Sequence, residues 1–213
     1  MVKDLCGSHS VLIAEIFEKM RQISELRRAV GKHVMSAFSI AKPSVREFWD
    51  DKRTSVVDIL MMTDNPQSGV NSYATIGLSE SPMLRDGKEF PTRLELVGAC
   101  GSAFRDMDKV LATAAFCVIN SDWFCAPGII FPDVMDMYGL STTMSDIYFS
   151  QPFLWEDKLH STTIEGKTVA WLLAVPVSKR ETEFAREHGS NELEKLFERQ
   201  DIDIFDYNRV SVV

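Results

Sequence analysis

"TVAWLLAVPVSKRETEFAREHGSNELEKLFE", residues 168–198, divides into three elements by its own chemistry. Residues 168–178 are an almost unbroken apolar run. A strand with one wet face would alternate apolar and polar, so this one reads as a central strand buried on both faces. Pro176 has no amide hydrogen and is expected to mark where ladder hydrogen bonding stops. Ser178 followed three residues later by Glu181 is a capping-box signal for a helix over 179–188. Gly189 closes that helix, and Ser190 or Asn191 caps the next, over 191–200.

Reading upstream, "TSVVDILMMTD" (54–64) and "VNSYATIGLSE" (70–80) are β-branched and apolar, with the turn "NPQSG" between them, and predict an antiparallel hairpin. Gly77 inside the second strand suggests a bulge or a close backbone approach. Asp86-Gly87 is a tight turn. "TRLELVGAC" (92–100) predicts a third strand, with Leu94 and Leu96 on one side and Arg93, Glu95 and Val97 on the other. Residues 102–119 carry a wide apolar stripe, including Phe104, Met107, Val110, Leu111, Ala114 and Val118, and predict the strongest helix. "APGIIFPDV" (126–134) reads as irregular, and "DIYFSQPFLW" (146–155) as a strand broken at Pro152. Near the start, apolar residues recur at steps of three and four over 10–38, predicting helix, with Gly31 a candidate break and Pro43 the stop. Strands and helices interleave without regular βαβ alternation. The expected class is α+β, a mixed, largely antiparallel sheet packed with helices. The expected organisation is an N-terminal helical extension over 1–30, a candidate surface for homodimerisation, and one domain over 31–213.

Of the 213 residues, 45% are hydrophobic and 25% charged, an ordinary globular balance. The formal net charge of −8 opposes binding to nucleic acid and to anionic membranes, and favours basic partners. Cys6, Cys100, Cys117 and Cys125 form no C-x-x-C pair and read as free thiols in a reducing compartment. No signal peptide or membrane-spanning run is legible, and the expected location is the cytoplasm.

Catalytic signals are weak. "LVGACGS" (96–102) places Cys100 in a glycine-flanked strand–turn–helix corner, where hydrolases expose a nucleophile, but Ser102 stands where such an elbow needs glycine. The alternative is a small apolar filler. "STTIEGKT" (161–168) ends like a phosphate loop but lacks its first glycine, so Gly166-Lys167 reads better as a hairpin turn. The histidines are scattered and suggest no metal site. No enzyme activity and no cofactor are expected.

The charge-bearing stretch is "NELEKLFERQDIDIFDY", residues 191–207. On a helix, Leu193, Leu196 and Phe197 face the core, leaving Glu194 and Glu198 outward. "DIDIFD" then alternates as an edge strand with exposed acids. Glu194, Glu198, Asp201, Asp203 and Asp206 are candidate partner-binding residues, with Asp50 and Asp51 as further acids; the alternative is that the terminal acids only block edge-to-edge aggregation. Trp49, Phe205 and Tyr207 are candidate aromatic anchors, each with an ordinary core role as the alternative.

"NSYATIGLSES", "TRLELVGA", "CAPGIIFPDV", "WLLAVPVSKRETEFAREHGSNELEKLFE" and "DIFDYNRVSVV" together resemble the suppressor-of-fused (SUFU-like) family, from about residue 31 to the C-terminus. "FWDDKRTSVVDIL", "INSDWFCAPGIIF" and "QPFLWED" are most similar to its bacterial YqcF-type antitoxins, immunity proteins of LXG polymorphic toxin systems. The resemblance implies a non-enzymatic α+β domain that binds and neutralises a cognate toxin domain, typically a nuclease with a basic surface. A regulatory scaffold that sequesters a host protein or peptide is the alternative it leaves open.

Overall fold

In a computed structural model describing residues 23–39 and 43–213, the chain forms helix α1 (Glu25–Ala37), strands β1 (Ser44–Trp49), β2 (Val56–Met62) and β3 (Val70–Ile76), and the small hairpin β4 (Leu84–Arg85) and β5 (Lys88–Glu89). It continues through β6 (Thr92–Gly101), α2 (Met107–Ser121), β7 (Ile130–Phe131), β8 (Asp146–Ser150), β9 (Thr162–Ile164) and β10 (Lys167–Val177), and ends with α3 (Lys179–His188) and α4 (Ser190–Gln200). Among the described residues, eight strands share one sheet, ordered β1-β2-β3-β6-β10-β8-β7, with β9 also paired to β10. Only β6 and β10 run parallel; every other pairing is antiparallel. This is the mixed, largely antiparallel α+β architecture that the sequence predicts.

β10 lies inside the sheet with apolar side chains on both faces, which is why its sequence does not alternate. Leu172 and Ala174 pack in one layer with Leu111, Val110 and Leu96, where α2 covers the sheet. Trp171, Leu173 and Val175 pack in the other with Val30 and Val34 of α1 and Leu193 of α4. Burying a Leu or Val fully contributes about 1.5–3 kcal/mol, so Leu26, Val30 and Val34 alone give α1 a firm seat. That apolar stripe of α1 is spent on its own sheet.

The capping box forms as predicted. The Ser178 hydroxyl accepts the Glu181 N–H at 3.1 Å, and the Glu181 carboxylate accepts the Ser178 N–H at 2.8 Å. The 54–80 hairpin also holds, with β2 and β3 in register from Asp58 opposite Ile76 to Met62 opposite Ser72.

Several expectations are corrected. α1 runs through Gly31 without a break; the part of the 10–38 helix before residue 23 lies outside the described residues. β1 is an edge strand whose mixed and mostly exposed side chains hid it from pattern reading. Gly77 ends β3 instead of bulging it: at φ +109° it turns the chain into a short 3-10 turn, with the Arg27 guanidinium against it. α2 begins at Met107, after Asp106 in a left-handed conformation. Pro176 does not stop both ladders: pairing to β6 ends at Ala174, while pairing to β8 continues through Val177. The turn between β9 and β10 is Glu165 and Gly166, both at positive φ.

The edge strand expected over 201–206 does not form. Asp201 adopts φ +46° and ends α4, and the chain then runs through turns. The aspartates explain the misreading. Asp203 Oδ1 accepts the Phe205 N–H at 2.9 Å and Asp206 Oδ1 the Asn208 N–H at 2.8 Å, so side chains take up backbone donors that a ladder would need.

Candidate partner-binding site

α4 owes its seat to the spacing of its apolar residues. Leu193 is fully buried, and Phe197 stands edge-on to Tyr148 of β8 with ring centroids 6.1 Å apart. After Asp201 the chain turns back over the sheet and is held where the Phe205 carbonyl accepts the Gly101 N–H at 2.9 Å. Between this returning segment, α4 and the stretch after β8 lies a groove of about 810 Å³. Tyr148, Phe153, Leu154, Phe197, Ile202, Ile204 and Phe205 supply its apolar surface, and Phe153 is 58% exposed. Glu194, Glu198, Asp201 and Asp203 line it as well, and no Lys or Arg lines it among the described residues.

Glu194 is half-buried and does not point freely outward. Its Oε1 accepts the Tyr148 hydroxyl at 2.7 Å and the Ser150 hydroxyl at 3.5 Å. Burial, and then the Glu194 carboxylate, push the Tyr148 pKa up, so it stays a hydroxyl donor. Among the described residues, Glu194 Oε2 and the carboxylates of Glu198 and Asp201 make no hydrogen bond or ion pair.

The other predicted residues lie elsewhere. Asp206 does not line the groove. Trp49, Asp50 and Asp51 belong to a second cleft, of about 850 Å³, between the end of β1 and one side of α2 from Lys109 to Ser121. β1 is the opposite edge of the sheet from β7 and β8, and α2 covers the opposite face from α4. The seven acids and Trp49 therefore fall into two separate clusters, with Asp206 apart. Lys52 and Lys109 line the second cleft, so its charge is mixed. The Asp50 carboxylate accepts the Ser55 N–H at 2.9 Å and the Thr54 N–H and hydroxyl at 2.6 and 2.8 Å; the Ser55 bond leads in holding its pKa down. Trp49 is 38% exposed and donates its indole N–H to Glu47. Tyr207 is buried against Phe104, so it is a core residue and not an anchor, whereas Phe205 reaches the groove.

Cys100 is fully buried in the α2 layer, and burial pushes its thiol pKa up. Its recorded polar neighbours are the Tyr207 and Tyr73 hydroxyls and Asp108, not a base that would make a thiolate. It fills the core. Among the described residues, no three His, Cys, Asp or Glu side chains converge as a metal site, and no helix is long and apolar enough to cross a membrane.

Sequence reasoning missed the groove's far wall and the buried charges. Tyr148 and Phe153 read as ordinary strand residues, because only the sheet order brings β8 under α4. Glu95 is fully buried and accepts hydrogen bonds from the Gly77 and Ser79 N–H groups and the Thr75 and Ser79 hydroxyls. Its place within an apolar strand pattern was the available signal.

Comparison with known proteins agrees with this architecture. The family model described as suppressor of fused protein (SUFU) matches residues 53–210. The chain is 42% identical over 191 residues to a protein of Bacillus subtilis (strain 168) named immunity protein YqcF, covering 90% of this chain and 99% of that one. A crystal structure of a SUFU homolog from Neisseria gonorrhoeae superposes with TM-score 0.63 at 16% identity, over 88% of this chain and 97% of the other. The Sufu chain of a Sufu–Fu complex superposes with TM-score 0.60 at 13% identity, over 87% and 91%.

Proposed function

The chain belongs to the suppressor of fused (SUFU) family, and from that premise we propose that it is an immunity protein, which binds a cognate toxin and neutralises it without covalent chemistry. The observation that carries this reading is the 42% identity, nearly end to end, to a protein named for that activity. The toxin is of the LXG type with a nuclease domain, and the encounter takes place in the cytoplasm. A nuclease must attract polyphosphate, so its substrate cleft is basic. The groove beside α4 offers carboxylates over an apolar floor, a combination suited to a basic surface: the charges speed docking and the buried apolar contacts supply affinity.

Co-expression with the neighbouring gene tests the reading. That gene product is expected to arrest growth alone and to be harmless when this protein is present. Toxicity that persists in its presence would remove the proposal.

A scaffold that sequesters an extended peptide is favoured by one feature, the outer edge of β1, which is unpaired among the described residues and where Val45 is 52% exposed. An added strand needs such an edge. It would bind whether or not a toxin gene is adjacent.

A further inference from the structure

The apolar groove under α4 is built on a scale that fits a segment, not a whole protein face. A volume of about 810 Å³ is lined by Phe153, Phe197 and Phe205 together with Ile202 and Ile204. Phe153 is 58% exposed and the other four are half-buried, so the groove presents several apolar side chains together. An exposed apolar patch of this kind, rimmed by polar groups, marks an interaction site. The charge then selects what covers it. Among the described residues, every ionisable side chain lining the groove is an acid or the Tyr148 phenol. Glu194 already uses one oxygen on Tyr148 and Ser150, which fixes its position and leaves Oε2 to face a donor. Glu198 and Asp201 have no ion-pair partner among the described residues.

We propose that this groove captures a single cationic-apolar segment of the partner: an aliphatic or aromatic side chain seated on Phe153, Phe197 and Phe205, flanked by Lys or Arg groups paired with Glu194, Glu198 and Asp201. A fully apolar segment would leave the carboxylates unpaired, and an acidic one would be repelled. The inference rests on the immunity reading only for the natural partner's identity; the recognition chemistry stands on the groove itself.

The test uses the full chain, labelled with ¹⁵N, and three capped pentapeptides as probes: Lys-Leu-Arg-Phe-Lys, Lys-Ser-Arg-Ser-Lys and Glu-Leu-Glu-Phe-Glu. The first is expected to give saturable amide shifts confined to residues 127–128, 148–154 and 190–205. The second should bind at least about ten-fold more weakly, since burying one Leu alone exceeds the 1.4 kcal/mol that a factor of ten requires. The third should not bind. Glu198→Gln with Asp201→Asn should weaken the first peptide about five-fold or more; Asn tolerates the left-handed backbone at 201, and unchanged shifts elsewhere report an intact fold. Equal affinity for the first two peptides, shifts centred on another surface, or no saturable binding would each overturn the proposal. The peptides carry no toxin sequence, so such a failure leaves the immunity reading standing, whereas unrelieved toxicity on co-expression removes that reading without touching the peptide result.

Discussion

Arg209 grips Glu181 with both terminal nitrogens, at 2.7 and 2.9 Å, inside the protein, where neither side chain has appreciable exposure. The same guanidinium donates to the Pro176 carbonyl at 3.0 Å, and Glu181 Oε1 also accepts the Val212 N–H at 3.0 Å. One carboxylate thus completes the cap of α3, pairs a buried cation and ties the C-terminal segment to the start of α3. Removing one partner leaves the other charge buried without compensation. Arg209→Met is expected to lower unfolding free energy by about 3–5 kcal/mol, and Glu181→Gln combined with it to recover part of that loss. Urea denaturation of Arg209→Met, Glu181→Gln and the double variant decides this. A double variant as unstable as the sum of the singles would mean that the pair does not act as a unit.

Gly77 and Arg27 make a second dependent pair. A Cβ at 77 would stand 2.1 Å from Arg27 Nη2, and the backbone there has φ +109°. Arg27 cannot simply swing away without loss: Nη2 donates to the Val56 carbonyl at 3.0 Å, and Nε lies 3.1 Å from Glu80. Gly77→Ala should therefore cost about 1–3 kcal/mol from the backbone alone, plus the displaced contacts of Arg27. Its mark should be selective. Hydrogen exchange should quicken in α1, which Arg27 anchors, more than in α2 on the far face.

Glu95 gives a pH signature. Burial pushes its pKa up, against the pull of hydrogen bonds from Ser79, Thr75 and Gly77. A carboxyl whose folded pKa exceeds its unfolded one costs stability at pH above the folded value, and that cost falls away on acidification, because the folded protein takes up the proton first. Glu95→Gln removes this dependence. Its oxygen can accept the Gly77 and Ser79 donors while its amide faces Thr75, whose hydroxyl has the Leu96 carbonyl at 3.4 Å as an alternative acceptor. The stability of the Gln variant relative to the parent should shrink as pH falls from neutral towards the carboxylate range. Chemical denaturation across that range measures it; a gap that widens on acidification would show that Glu95 titrates in the opposite sense.

The elements that were legible in the sequence are those whose chemistry is local or whose burial is complete. β10 announced itself because both its faces are covered, and the cap at Ser178 because its partner lies three residues on. β1 was not legible, since Arg46 and Glu47 interrupt its apolar residues and Val45, Phe48 and Trp49 do not fall on a single face. Residues 201–206 misled because alternating Ile and Asp imitates a half-buried strand, while the aspartates bond the nearby backbone instead. The site was half legible. Glu198, Asp201 and Asp203 follow from the helix and its exit, but Tyr148 and Phe153 meet them only through the sheet order. Asp50 looked equally available in the sequence and is engaged by its own turn.

That division leads to a comparison of charge reversals at the two clefts. Glu198→Lys and Asp51→Lys change the net charge by the same amount, and both residues are exposed. A toxin steered by overall charge would lose association rate equally with each. If the groove beside α4 is the docking surface, Glu198→Lys alone should slow association, by about ten-fold at low salt, and flatten its dependence on ionic strength, because a charge inside the encounter region dominates the steering field. Dissociation should change less, since rim charges act mainly on approach. Stopped-flow association at two salt concentrations separates these cases. A larger effect from Asp51→Lys would move the docking surface to the cleft of Trp49, on the other edge and face of the sheet.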